Sequence, residues 1–216
     1  MCKFAFYFIE MLFNIHTHFA QNQREIQNYY PEDIPEKNPF SVGIHPWYIE
    51  ENWQKQMDNV LKYSVLENCK AIGECGLDKN VKTNFSLQKE IFKAHIALSE
   101  QVKKPLLIHC VKSFSEIISL KKETRPSQLW VLHGFRKNEQ IANALLQNNI
   151  KISFGEALLK EEKLQKILTK ISINDFFLET DNASVSIQKI YQKASELTGF
   201  SVENLNILLS KKFNNF

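Results

Sequence analysis

The chain has no CxxC pair and no regular ladder of cysteines. Its four cysteines are Cys2, Cys69, Cys75 and Cys110. That spacing excludes a disulfide-stapled scaffold and reads as free thiols in a reducing compartment. No block of like charge stands out. The formal net charge of +3 permits an anionic substrate without demanding one, and there is no basic tail for nucleic acid. No apolar run is long enough to span a bilayer. The nearest is Phe4 to Phe13 behind Lys3, which has the outline of a signal peptide, but Glu10 interrupts it and no A-x-A-like site follows. Two readings stay open for residues 1–10: a genuine N-terminal tail, or an extension upstream of a true start at Met11. No stretch is both highly charged and poor in apolar residues, which excludes disorder. No repeat, low-complexity tract or linker divides the chain. The expectation is one cytoplasmic domain over residues 11–216, with no membrane association and no obligate protein partner. At 44% hydrophobic and 24% charged residues, a chain of 216 buries a real core.

What is present is alternation. Short apolar runs alternate with longer amphipathic ones, the pattern of βαβ units. Eight strands are expected at Leu12–His16, Glu25–Tyr30, Phe40–His45, Ala71–Glu74, Pro105–Cys110, Leu129–His133, Ile150–Phe154 and Phe176–Thr180. Helices are expected at Asn52–Glu67, Ser86–Lys103, Ser113–Lys122, Asn138–Asn148, Lys160–Ile171, Ser186–Thr198 and Val202–Asn214. In the second of these, Leu87, Ile91, His95, Leu98 and Val102 recur at three- or four-residue steps. Ser201 caps the last helix after a stop at Gly199. The early part departs from the pattern. The first two strands are separated by a short loop, and Pro31, Pro35 and Pro39 fill the next gap. The fold class is therefore α/β, a TIM-like (β/α)8 barrel with abbreviated first units.

The six histidines are the informative residues. His16 and His18 end the first strand, and residues two apart on a strand face the same way, so both imidazoles reach one point. His109 and His133 end the fifth and sixth strands, Glu74 ends the fourth, and Asp181 follows the eighth. In a parallel barrel all of these lie on one rim, where barrel active sites sit. Together they read as metal ligands. Four imidazoles and two carboxylates suit ions such as zinc or manganese. Six protein ligands are too many for one catalytic ion and suit two divalent ions bridged by a carboxylate. Such a pair, ~3.5–4 Å apart, handles an activated water and a leaving oxygen together. Glu74 is the natural bridge. Asp181 is expected to ligate and also to accept a proton from the attacking water.

NIHTH, SVGIHPW, AIGECGLD, PLLIHC, VLHGF and FLETD occur in that order, with Gln88 and Phe92 in the helix between the third and fourth. From Asn14 to the C-terminus this resembles the TatD family of metal-dependent hydrolases, within the amidohydrolase superfamily. The resemblance implies a barrel that cleaves phosphodiesters with two metal ions (zinc, manganese or magnesium), mostly as a DNA exonuclease, so DNA ends are the expected partner. It implies that His16, His18, Glu74 and Asp181 hold one ion, that Glu74, His109 and His133 hold the other, and that His45 contacts the substrate phosphate. The chain departs from the family at Asn14, where Asp is usual, at Lys79, at Val111-Lys112-Ser113 and at Asn182-Ala183-Ser184. These positions line the substrate mouth. Lys112 replaces an Arg as a phosphate clamp, as a point charge without bidentate geometry.

Other residues read more plainly. His95 sits on the apolar face of its helix, as a core or supporting histidine. Asp78 either orients a ligand or caps a loop. Cys75 and Cys110 are small buried filler. Trp47, Tyr48 and Trp53 read as packing under a loop, with base stacking as the alternative. Lys121, Lys122 and Arg125 read as a solvated helix end. Two further functions remain: hydrolysis of a small ester, amide or lactone by the same geometry, and a metal-binding scaffold with little turnover. Against the first, no strand end offers a lysine for carboxylation.

Overall fold

Parallel strands need both faces covered, and the later strands are apolar without alternation for that reason. Leu106, Leu107, Ile108, Trp130, Val131, Leu132, Phe176, Phe177 and Leu178 are all buried. The computed structural model describes residues 11–33 and 38–214. Residues 1–10, with Cys2 and the proposed extension, lie outside the described residues, as does Pro35. The strands are β1 (Asn14–Thr17), β2 (Glu25–Tyr29), β3 (Phe40–Val42), β4 (Cys69–Asp78), β5 (Leu106–Val111), β6 (Trp130–Leu132), β7 (Ile150–Phe154) and β8 (Phe176–Leu178). They form one parallel sheet in sequence order. An isolated parallel bridge between Thr17 and Asp181 brings its two ends together. The expected barrel is therefore the observed one.

The helices are α1 (Trp53–Ser64), α2 (Phe85–Val102), α3 (Phe114–Thr124), α4 (Glu139–Gln147), α5 (Glu162–Leu168), α6 (Ile187–Thr198) and α7 (Val202–Asn214). No helix stands between β1 and β2 or among the described residues between β2 and β3, as the prolines predict. Side-chain caps start several helices. Asn84 accepts from the Ser86 and Leu87 amides, Asn138 from that of Ile141, and Ser201 from that of Asn204. Gly199 ends α6 at φ 76°. A cap contributes ~1 kcal/mol. Burying one large apolar side chain contributes ~1.5–3 kcal/mol, so Ile91, Phe92, Ile96 and Leu98 decide where α2 lies.

Two elements differ from expectation. The helix expected over 160–171 is the shorter α5, and a separate 3-10 turn, Glu156–Leu159, precedes it. Leu158 and Leu164 are both buried, yet six residues apart they would point ~120° away from each other on one helix. Strand β4 runs on to Asp78, so Glu74 lies mid-strand rather than at its end. Glycine makes this possible. At Gly76, φ is 146° and a Cβ would run into the His109 carbonyl oxygen. At Gly43 a Cβ would lie 2.7 Å from the Gly73 Cα. Both neighbours of β4 thus approach closely on either side of Glu74.

The last two helices seat the first strand. The Phe13 amide donates to Asn206 Oδ1 at 2.8 Å, and the Tyr191 hydroxyl donates to the Phe13 carbonyl at 2.7 Å.

Candidate metal centre

Glu74 stands at the centre of the rim, with 4% of its surface exposed. Its two oxygens face different neighbours. Oε1 lies 2.7 Å from His133 Nε2, 2.8 Å from His109 Nδ1 and 3.2 Å from His45 Nε2. Oε2 lies 3.5 Å from His16 Nε2 and 3.8 Å from His18 Nε2. Asp181 Oδ1 closes the second side, 3.5 Å from His16 Nε2 and 3.4 Å from His18 Nε2. All six residues expected as ligands are therefore together, and His45 is with them. Lys112 is exposed in a left-handed turn just after β5 (φ 54°) and is not among the residues lining the cavity over Glu74.

The donor set fits a cation. His16 has no exposure, and neither of its ring nitrogens has a hydrogen-bond partner. A buried polar atom left so costs ~1–3 kcal/mol. The separations of 3.4–3.8 Å around His16 and His18 are long for hydrogen bonds. They are close to the roughly 3–3.4 Å between two ligands that each sit ~2.1 Å from one ion. Among the described residues, three groups of ligand atoms lie close enough to share an ion: His16, His18 and Asp181; His16, Glu74 and His133; His45, Glu74 and His109. The field also favours positive charge here. Burial pushes Glu74 upward, but the charge on His133 and hydrogen bonds from His109, His133 and His45 outweigh it and hold the carboxyl well below its usual range. Burial pushes His133 down, and the neighbouring charge of Glu74 overrides this and lifts it to about 10.

Behind these donors lies a second layer of polar groups. His45 Nδ1 accepts from the Trp47 amide at 3.1 Å. His109 Nε2 lies 3.2 Å from Asp78 Oδ2, and that oxygen also accepts from Trp47 Nε1 at 2.7 Å. Asp78 Oδ1 accepts from the Asn80 amide, so Asp78 both orients a histidine and shapes its loop. His95 is fully buried, and its Nε2 accepts from the Ile44 amide at 3.0 Å. Burial lowers it to about 4, so it is neutral and holds the segment before His45. Such partners fix ring orientation and tune the ligand.

Two residues of this layer are not apparent from the sequence alone. Glu179 has no exposure, accepts from the Gly134 amide at 2.6 Å and from the Ser153 hydroxyl, and lies 3.9 Å from His133 Nδ1. Its signal is a carboxylate directly after the apolar run of β8. Asn28 in β2 accepts from the Glu74 amide at 2.7 Å. Its signal is an amide side chain in a buried strand.

Asp181 is placed by backbone. Its amide donates to the His16 carbonyl, its own carbonyl accepts from the His18 amide, both at 3.0 Å, and its φ is 54°. A non-glycine residue there costs ~1–2 kcal/mol. A buried polar latch holds it. Asn14 donates to Thr180 Oγ1 at 2.8 Å and accepts from the Thr180 amide at 3.2 Å, while Thr180 donates to Thr17 Oγ1 at 2.9 Å. Asn14 supplies a donor and an acceptor at once, a pairing an ionised Asp lacks. Burial pushes Asp181 upward, but the imidazoles of His16 and His18 beside it hold it far below the carboxylate range.

The cavity over Glu74 has a volume of about 310 Å³ and carries aromatic residues at its mouth. A groove of about 450 Å³ between α2 and α3 is larger, but ion pairs such as Lys93–Glu123 cross its lining, and no ligand set converges there. Lys121, expected in solvent, is instead buried with its ammonium 4.7 Å from the Trp130 ring. Cys75 is buried and Cys110 half-buried, both pushed up by burial and inert. Among the described residues no helix is long and apolar enough to cross a membrane.

Eight parallel strands around histidines and carboxylates at their C-terminal rim define a barrel protein with a metal-type centre. The family model described as "TatD related DNase" matches residues 8–215, and the chain belongs to that family. It is 39% identical over 151 residues to an uncharacterized metal-dependent hydrolase of Buchnera aphidicola subsp. Baizongia pistaciae, covering 68% of this chain and 56% of the relative. It is 29% identical over 145 residues to the uncharacterized metal-dependent hydrolase YabD of Bacillus subtilis, covering 65% of this chain and 57% of that one. It thus spans less than two thirds of the length of these relatives. The fold matches the crystal structure of YJJV, a TatD homolog from Escherichia coli, with a TM-score of 0.69 at 19% identity, over 81% of this chain and 75% of the other.

Proposed function

We propose that the chain is a metal-dependent hydrolase that cleaves phosphodiester bonds and trims DNA from its ends. The observation that carries this reading is the division of one carboxylate: the two oxygens of Glu74 serve two separate groups of donors. The family description and the names of the relatives support it. Two divalent ions, zinc, manganese or magnesium, would be held here, one by Glu74 with His16, His18 and Asp181 and the other by Glu74 with His109 and His133. Bound there, the cations neutralise phosphoryl charge and acidify an attacking water.

The remaining steps fall to the chain's own side chains. His45 has its Nδ1 engaged by the Trp47 amide, so Nε2 is presented in a fixed direction to a phosphate oxygen. Asp181, with 34% of its side chain exposed beside the cage, would accept the proton of the attacking water. Asp78 orients His109, and Glu179 sets a buried carboxylate near His133. Lys112, at the rim, adds a point charge for a more distant phosphate. Attack falls on the backbone, so no base needs to be flipped. A single domain over residues 11–216 behind a short N-terminal extension, working in the cytoplasm, belongs to the same proposal.

The test uses single-stranded DNA labelled at its 3′ or 5′ end, with Mg²⁺ or Mn²⁺ and a His109→Ala control. Stepwise shortening that vanishes in the variant is the expected result. Intact DNA with turnover of a small ester, amide or lactone would replace the nuclease by that second activity. Bound ions without any turnover would make the chain a scaffold.

A further inference from the structure

The cavity over Glu74 has an exposed aromatic lip. Trp47 is 57% exposed, Tyr48 47% and Phe19 71%, and all three line the same cavity as the ligand cage. Large aromatic rings left in water around a concave polar site mark a ligand contact. Trp53 differs: it packs against the core, as a loop-stabilising aromatic does.

Trp47 is also held still. It sits in the 3-10 turn Pro46–Tyr48, whose first residue has its φ fixed by proline. Its indole N–H donates to Asp78 Oδ2 at 2.7 Å, and its amide donates to His45 Nδ1 at 3.1 Å. Its ring centre lies 5.2 Å from that of His45 and 6.2 Å from that of His109. An exposed tryptophan tied at both ends presents a rigid aromatic surface beside the cage at little entropic cost.

We propose that Trp47 is a stacking platform for the nucleobase next to the phosphate held at the cage. This rests on the phosphodiesterase reading above and deepens it. A cavity of about 310 Å³ is at the small end for ligand pockets and suits one terminal nucleotide rather than a duplex. Stacking on an indole accepts any base, because every base has a π-face. The platform therefore selects for a base, and for an unpaired end, without selecting a sequence.

The test compares two single-stranded oligonucleotides in the presence of Mn²⁺, one complete and one with an abasic residue at the terminal position. The wild type is expected to prefer the complete strand by roughly tenfold or more in kcat/KM, carried by KM. In Trp47→Ala that preference falls to about one, and Trp47→Phe keeps most of it. A preference that survives Trp47→Ala, or an equal loss on both strands, overturns the proposal. If the wild type cleaves neither strand, the phosphodiesterase reading fails on its own. Stacking is then read from quenching of tryptophan fluorescence by a nucleoside monophosphate, and quenching that persists in Trp47→Phe overturns it.

Discussion

The two sides of Glu74 are built by different means. On one side His16, His18 and Asp181 are set by main-chain pairing between the first strand and the segment after the last. On the other, His45 and His109 each have an individual partner, the Trp47 amide and Asp78, while the Glu179 carboxylate lies 3.9 Å from His133. A side set by backbone is stiff and depends on the sheet being closed. A side set by individual partners is adjustable one ring at a time. Substitutions on the first should therefore act through closure and on the second by degrees.

Glu74→Gln strikes both sides at once and should have the largest effect. The amide nitrogen cannot ligate, so metal content should drop below two ions per chain and turnover should fall on the order of a thousandfold, as for a group acting within a unit. Elemental analysis of the purified variant checks this, and two retained ions would dissolve the distinction between the sides. Asp181→Asn comes next. A loss of about a hundredfold in kcat is expected, the scale of general-base removal, and full turnover with metal bound would remove Asp181 from proton transfer. Asp78→Asn tests the adjustable side. Loss of an orienting partner should weaken metal affinity or activity by ~10–100-fold, read by titration against a chelating dye while the fold, by circular dichroism, stays intact. Asn14→Ala tests closure. It strips two bonds from buried Thr180 and should cost ~1–3 kcal/mol, or ~2–4 °C in Tm per kcal/mol. An unchanged melting curve would mean that the latch is dispensable. Lys112→Ala, outside both sides, should raise KM roughly threefold, as for one exposed charge worth less than ~1 kcal/mol.

Much of the metal centre was legible because imidazoles and carboxylates are rare at the ends of apolar strands. That His16, His18, His109, His133 and Asp181 gather could be read from strand ends, whereas Glu74 lies mid-strand and was read from its motif. Glu179 was harder to see. It stands within the same short motif as Asp181, but its role depends on Ser153 and Gly134, which reach it only through the registers of β6, β7 and β8. Asn28 was hidden for a related reason: its partner is a backbone amide two strands away. The length of β4 was misjudged because glycines that normally signal a turn here allow two strands to touch. Lys121 was misplaced because its long stem lies along Trp130 while its ammonium reaches the Gln128 carbonyl.

The seam between the first strand and the last joins residues far apart in the chain; the Asn14–Thr180 bond spans 166 positions. Contacts of that range form late, because a long loop must close before they reward it. The pocket of His16, His18 and Asp181 therefore does not exist until the chain has come full circle, whereas His109 and Glu74 meet across neighbouring strands much sooner. A cation captured by the late pocket binds only the finished fold, and its binding energy adds to the stability of that fold. An ion held there would clasp the barrel, adding to the Thr17–Asp181 bridge and the Asn14–Thr180 bond that already join the ends of the sheet.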